Sequence, residues 1–198
     1  MAHVGSSRSS RISDPFHPEP TLRVDARNSV AELVDVNLLV SFRNISTVVK
    51  IDRRSGRVVW QLGAPPLSGQ HAPVELTNGN LLMFDNGSTR LDQTFPFSRV
   101  IEVNPATKKI VWKYQDANPQ AFYSDRISNA QRLPNGNTLI NEGMFGRFFE
   151  ITSAGEVVWE YVNPHFGPAS RPAQTQTNNV FRVYRYTEEE VARARRAV

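Results

Sequence analysis

One four-phrase pattern is written three times along the 198-residue chain, and this repetition constrains the fold more than any other feature. The first copy runs Asn28-Ser29-Val30-Ala31-Glu32-Leu33, Asn37-Leu38-Leu39-Val40-Ser41-Phe42, Thr47-Val48-Val49-Lys50-Ile51-Asp52 and Gly56-Arg57-Val58-Val59-Trp60-Gln61-Leu62. The second runs Ala72-Pro73-Val74-Glu75-Leu76, Asn78-Gly79-Asn80-Leu81-Leu82-Met83-Phe84-Asp85, Ser98-Arg99-Val100-Ile101-Glu102-Val103 and Lys109-Ile110-Val111-Trp112-Lys113-Tyr114. The third runs Ala130-Gln131-Arg132-Leu133, Asn135-Gly136-Asn137-Thr138-Leu139-Ile140-Asn141-Glu142, Gly146-Arg147-Phe148-Phe149-Glu150-Ile151 and Gly155-Glu156-Val157-Val158-Trp159-Glu160-Tyr161. Trp60, Trp112 and Trp159 are the chain's three tryptophans, spaced by 52 and 47 residues. That period matches the ~40–50 residues of a propeller blade.

Each copy reads as a four-stranded antiparallel meander. The Asn-Gly-Asn triplets mark tight hairpin turns, and the Asp52 to Gly56 and Asn104 to Lys108 stretches turn the outer hairpins. A single such sheet cannot bury both faces, so the copies are expected to stack radially as the blades of an all-β propeller. A β-sandwich accounts for the strands but not for the long period. A partial strand, Val180-Phe181-Arg182-Val183-Tyr184-Arg185-Tyr186, brings the total to about four blades, as an open arc, a piece of a larger propeller, or a half completed by a second copy. Residues 1–13, Ser/Arg-rich and aperiodic, are expected to be disordered, with blades over 14–186. Residues 187–198, acidic first and basic last, read as a short C-terminal helix.

Composition narrows the chemistry. Without cysteine there is no disulfide, thiolate metal site, iron–sulfur cluster or cysteine nucleophile. The four histidines, His3, His17, His71 and His165, leave few candidates for imidazole chemistry. The net charge of +4 arises from 23 basic and 19 acidic residues scattered among one another, which argues against a nucleic-acid partner. No apolar run is long enough to span a bilayer, and the first ten residues lack the apolar core of a signal peptide. The chain as it stands is expected in the cytoplasm, or in the periplasm or outside the cell if it is a fragment of an exported protein.

In a propeller the innermost strand of each blade lines the axis, and the residues opening these strands converge there. The three opening positions are Arg27, His71 and Ser128. An arginine, a histidine and a hydroxyl at one level make an anion-binding constellation in which His71 is the base or nucleophile. After the second strand of the second copy, Phe84-Asp85-Asn86-Gly87 leads to Arg90, a planar donor fork for an oxyanion. Arg43 holds the matching place in the first copy, and Asn86 and Asp85 are suited to fixing the loop. Tyr123 and Ser124, ahead of the third opening position, offer a stacking face and a donor for an aromatic substrate. No metal cluster and no cofactor are expected.

Several of these segments, in this order, resemble the bacterial arylsulfate sulfotransferase family. They are Asn28-Ser29-Val30-Ala31, Leu39-Val40-Ser41-Phe42-Arg43-Asn44, Val58-Val59-Trp60-Gln61-Leu62-Gly63, Gly69-Gln70-His71, Phe84-Asp85-Asn86-Gly87, Phe122-Tyr123-Ser124, Ala130-Gln131-Arg132-Leu133-Pro134-Asn135-Gly136-Asn137 and Val158-Trp159-Glu160-Tyr161-Val162-Asn163-Pro164. The resemblance covers about residues 27–186 and is to the C-terminal portion of a member. It implies a six-bladed propeller that moves a sulfuryl group from a phenol's sulfate ester to another phenol, without a nucleotide donor, through a transiently sulfated channel histidine. His71 matches a channel histidine and Arg90 the sulfate-binding arginine. The family's histidine before Asn-Ser is Arg27 here, and Ser128 stands at the third opening position, so a second channel histidine is missing. The catalytic set is then His71 and Arg90, with Arg27, Ser128, Asn86 and Tyr123 around the substrate. The partners are an aryl sulfate and a phenol, with no membrane or nucleic acid, and a possible homodimer completes the ring. Two rival readings are a non-catalytic propeller that binds anionic or aromatic ligands or a protein, and, on fold analogy, a quinone-dependent dehydrogenase-like propeller.

Overall fold

The computed structural model describes residues 37–90, 93–168 and 176–196. The expected disordered segment 1–13, the inner strand over 28–33 and Arg27 lie outside these residues. Among the described residues eleven strands form three antiparallel meanders. The first comprises β1 (Leu38–Phe42), β2 (Thr47–Ile51) and β3 (Val58–Leu62). The second comprises β4 (His71–Glu75), β5 (Leu81–Asp85), β6 (Arg99–Asn104) and β7 (Lys109–Tyr114). The third comprises β8 (Asn129–Arg132), β9 (Thr138–Glu142), β10 (Arg147–Ile151) and β11 (Val157–Val162). Neighbours in sequence are neighbours in each sheet, as expected of propeller blades. The Asn-Gly-Asn hairpins close as expected, with Gly79 at φ +81° and Gly136 at φ +86°, values only glycine adopts without strain. Asn78 and Asn135 brace them by accepting from the N–H groups of Asn80 and Asn137, each at 3.0 Å.

The core lies between sheets. One cluster joins Leu39, Val48, Trp60 and Leu62 of the first blade to Leu81, Met83, Ile101 and Val103 of the second. The other face of the second blade, with Leu82, Phe84, Val100 and Tyr114, meets Ala130, Ile140, Phe149 and Ile151 of the third. Alternation along each strand thus sends its apolar side chains to two different interfaces. Phe122, in the loop between the second and third blades, fills the middle of the latter cluster. Its ring stands edge-on to Phe84 and Phe149 at 5.4 and 5.6 Å between centroids, and tilted against Tyr114 at 5.4 Å.

A polar clasp reinforces each interface. Trp60 donates its indole N–H to the Pro105 carbonyl in the next blade's outer turn (2.8 Å), and Trp112 does the same to Ser153 (3.2 Å). Lys50 pairs with Glu75 across the first interface (2.8 Å), and Glu102 with Arg132 across the second (2.9 Å), where the Arg132 guanidinium also lies 4.5 Å over the Trp112 ring.

The segment 180–186 differs from expectation. It pairs in no backbone ladder; the side-chain amides of β8 hold it instead. Asn129 accepts from Val183 N–H and donates to its carbonyl (2.9 and 2.7 Å), and Gln131 does the same with Arg185 (2.8 and 2.9 Å). The chain then enters α1 (Glu188–Arg196), where Thr187 and Glu190 form a capping box.

Two stability measurements test this packing. Phe122→Ala should cost about 3–5 kcal/mol, as a fully buried ring lost from an interface core, and lower the urea midpoint. The Glu150 carboxyl is held below its ordinary value of 4.5, chiefly by the Asn137 amide, with Arg185 and Asn135 adding to it against the opposing effect of burial. Its stabilisation is therefore present above pH 4.5 and lost as pH falls through the lowered native value. Glu150→Gln should be less stable at neutral pH and show a shallower acid decline in urea midpoints measured across pH.

Candidate functional site

The inner ends of the second blade's strands bring together several of the candidate residues. At the start of β4 the register slips between His71 and Val74, and Ala72 takes a left-handed φ of +48°. This bulge re-aims the first residue of the strand. His71 is only 3% exposed, beside the end of β5. There Asp85 and Asn86, adjacent in sequence and both fully buried, organise separate sets of partners.

Asn86 fixes the imidazole. Its amide N–H groups donate to the carbonyls of Ser124 (2.7 Å) and Ile127 (3.1 Å), so its Oδ1 faces His71 Nδ1 at 2.7 Å as an acceptor. The proton therefore resides on Nδ1, and Nε2 keeps its lone pair, which accepts from the Ile127 main-chain N–H at 3.2 Å. The network thus assigns a neutral imidazole with its unprotonated nitrogen toward the 123–128 loop.

That loop is pinned at several points. Glu142 accepts from the Tyr123 N–H (3.0 Å) and Ser98 Oγ from the Ser124 N–H (2.9 Å). Arg43 reaches over from the first blade to donate to the Asp125 carbonyl (3.0 Å). Ile127 and Ser128 occupy successive left-handed conformations, φ +53° and +84°. For β-branched Ile127 this is strain that the surrounding contacts must hold in place.

The sequence candidates divide accordingly. His71 and Asn86 come together as a pair, and Asn86 acts on the histidine. Arg90 serves the adjacent carboxylate: its fork donates to Asp85 Oδ2 (2.7 Å) and the Phe97 carbonyl (3.1 Å) and stacks 4.3 Å from the Phe97 ring centroid. Arg99 shares Asp85 Oδ2 at 2.8 Å, and Ser68 N–H supplies Oδ1 at 2.7 Å, so this buried carboxylate is fully paired. Gly87 allows the intervening turn, since at φ +79° an added Cβ would lie 2.0 Å from the Phe97 carbonyl oxygen. Ser128 donates to Ser124 Oγ (2.9 Å) and accepts from Gly143 N–H (2.9 Å), locking the loop's exit. Tyr123 is half-buried. Burial first, and then Asp125, push its phenol above the ordinary value of 10, against the opposing charge of Arg43, so it is a proton donor at neutral pH.

Three contacts of the site were not foreseen by sequence reasoning. The Ile127 main chain has no side-chain signature. Arg43 was legible only as the first copy's counterpart of Arg90; here it spans to the loop, with its Nε–H buried and without an acceptor among the described residues. The Asp85–Arg99 pair had a signal: the two are register partners across β5 and β6, and Glu142–Arg147 repeats the arrangement in the third blade at 3.2 Å. Among the described residues no three His, Cys, Asp or Glu side chains group as metal ligands, and no helix is long and apolar enough to cross a membrane.

Comparison with known proteins adds the family. Similar solved structures include a protein of unknown function from Bacteroides caccae (21% identity, TM-score 0.44, covering 64% of this chain and 42% of that one). Virginiamycin B lyase from Staphylococcus aureus is similar at 17% identity and TM-score 0.44, over 65% of this chain and 38% of that one. BamB from Moraxella catarrhalis is similar at 16% identity and TM-score 0.39, over 65% and 36%. The chain thus spans about two fifths of the length of these proteins. No curated protein matches it. The family model described as Arylsulfotransferase (ASST) matches residues 3–164. That match takes in all three blades, with His71, Asn86 and Arg90 inside it, and the chain belongs to the arylsulfotransferase family.

Proposed function

We propose that this chain carries the sulfuryl-transfer chemistry of a phenol sulfotransferase, with His71 as the nucleophile. The observation that carries the reading is the His71–Asn86 pair, a buried neutral imidazole whose tautomer leaves Nε2 as the nitrogen with a lone pair. Nε2 attacks the sulfur of an aryl sulfate, the sulfur–oxygen bond to the aryl group breaks, and the departing phenolate takes a proton from Tyr123 or water. The sulfated ring, protonated on Nδ1, is steadied by Asn86 Oδ1. A second phenol then attacks the sulfur, loses its proton to the same relay, and releases His71. Arg90 has the sulfate-binding role that the family resemblance implies, Arg27 and Ser128 stand at the opening positions around the substrate, and Arg43 adds a guanidinium beside Tyr123.

A second reading has its own support. With Nε2 engaged by the Ile127 N–H and the Arg90 fork on Asp85 and Phe97, the same site suits a non-catalytic module that binds an aromatic or anionic ligand.

A chromogenic aryl sulfate with a phenol acceptor separates the two. Transfer should fall by a factor of ~10²–10⁴ in His71→Ala; phenol release indifferent to that substitution would remove the catalytic reading. Asn86→Ala should lower kcat with little change in KM. Asn86→Asp places a carboxylate on Nδ1, favours the imidazolium, and should move the acid limb of the pH–rate profile to higher pH.

A further inference from the structure

We propose that residues 124–128 form a gate closed over His71 Nε2, and that residues 180–183 are the latch that keeps it shut. With His71 as the nucleophile, sulfuryl transfer then waits on an opening of this gate. That consequence rests on the catalytic reading; the shielding of the nitrogen does not.

The gate closes through one peptide N–H. Nε2 has a single lone pair in the plane of the ring, and the Ile127 N–H lies on it at 3.2 Å. An electrophile must approach along the same direction, so this N–H and an incoming sulfur exclude each other. His71 is buried, yet Ile127 is only half-buried, so the cover over the ring meets solvent on its outer side. The cover is also under load. Ile127 and Ser128 are both left-handed, at φ +53° and +84°, a conformation that a β-branched side chain resists. Asn86 restrains the Ile127 carbonyl from within, at 3.1 Å. The restraint on the next residue comes from outside the loop.

That restraint is the segment 180–183. The Ser128 N–H donates to the Phe181 carbonyl at 3.3 Å. Asn141, buried on β9, donates to the carbonyls of Val180 (3.0 Å) and Phe181 (3.3 Å), and the Val180 N–H donates to the Gly143 carbonyl (2.8 Å). Asn129 holds Val183 at both of its main-chain groups. Gate and latch also meet at Gly143, where an added Cβ would fall 2.8 Å from Ile127 Cγ1 and 2.6 Å from the Val180 carbonyl oxygen. The segment pairs in no ladder and Phe181 is 48% exposed, so it can leave without breaking any strand pairing. Its departure takes the acceptor from the Ser128 N–H and loosens the seat of Ile127 on Gly143. The strain at Ile127 then turns the peptide away from Nε2.

Carbethoxylation of the full chain by diethyl pyrocarbonate, read histidine by histidine with mass spectrometry, measures the opening, because the reagent attacks an unprotonated imidazole nitrogen. His71 should react on the order of 10-fold more slowly than the exposed His165. Asn141→Ala and Asn129→Ala should each raise the His71 rate by on the order of 10-fold, the effect of losing two hydrogen bonds of ordinary net strength. His165 should react as before, with the strand circular-dichroism signal retained. A further measurement uses the unaltered protein: the amides of 127–128 and 180–183 should exchange with deuterium together, ahead of those of β5 and β9. Equal reactivity of His71 and His165, a His71 rate that neither substitution moves, or loop amides that exchange no faster than β5 would overturn the proposal. None of these readouts needs sulfuryl transfer. Transfer indifferent to His71→Ala removes the catalytic reading and leaves the gate, whereas an uncovered His71 removes the gate and leaves the catalytic reading.

Discussion

A sheet with two apolar faces must be covered on both, and in this chain the cover for each blade is the next one. The interface cores are built from alternate positions of the same strands, so Leu81, Met83, Ile101 and Val103 face one neighbour while Leu82, Phe84 and Val100 face the other. This arrangement determines where polar groups are allowed. At the outer rim they form the repeated clasp of indole, carboxylate and guanidinium; at the inner rim, where strands begin and end, they surround His71. The burial that holds the blades together also excludes water from the imidazole and from the buried Asp85 carboxylate, which is why nearly every polar atom there is committed to a named partner.

The inner rim has two electrostatic centres that share a strand end without sharing partners. Asp85 gathers Arg90 and Arg99 and ties the Ser68 turn to the 87–90 turn. Asn86 gathers the 124–127 carbonyls and His71. A carboxylate at position 86 would favour an imidazolium; an amide leaves the ring neutral while still fixing its tautomer. The loop over Nε2 is the costly element, because Ile127 is held left-handed by contacts from Asn86 and its neighbours. For His71 to attack sulfur that N–H must give way, and the strain in the loop lowers the cost of the movement.

Most of the fold was legible in the sequence because the repeat is periodic in a property that packing uses. The tryptophans, the Asn-Gly-Asn hairpins and the paired valines of the outer strands each mark a position whose environment recurs. Val180 to Tyr186 was read as a strand from its position in the repeat, yet it is held through Asn129 and Gln131 side chains with no backbone ladder. The site was less legible. His71 stood out by scarcity, but the partners of Arg90 depend on a loop returning from Phe97, and the Nε2 contact depends on a main-chain N–H. Arg27, the third member of the expected constellation, lies outside the described residues.

The clasp also explains why Glu and Arg recur at positions that a surface reading would dismiss. Exposed ion pairs contribute little by themselves. At the second interface the pair sits against Trp112, whose N–H is already anchored to the neighbouring blade, so charge, stacking and hydrogen bond act on one ring. The polarity of the pair reverses once, from Lys50–Glu75 to Glu102–Arg132, while the geometry is kept. What the repeat preserves is therefore the position of an interblade pair, and the sign of each partner is free to vary. Such reversals distinguish one interface from another, since Glu150 accepts an arginine strand such as 180–186 and would repel a strand bearing glutamate at that place, as β4 does with Glu75.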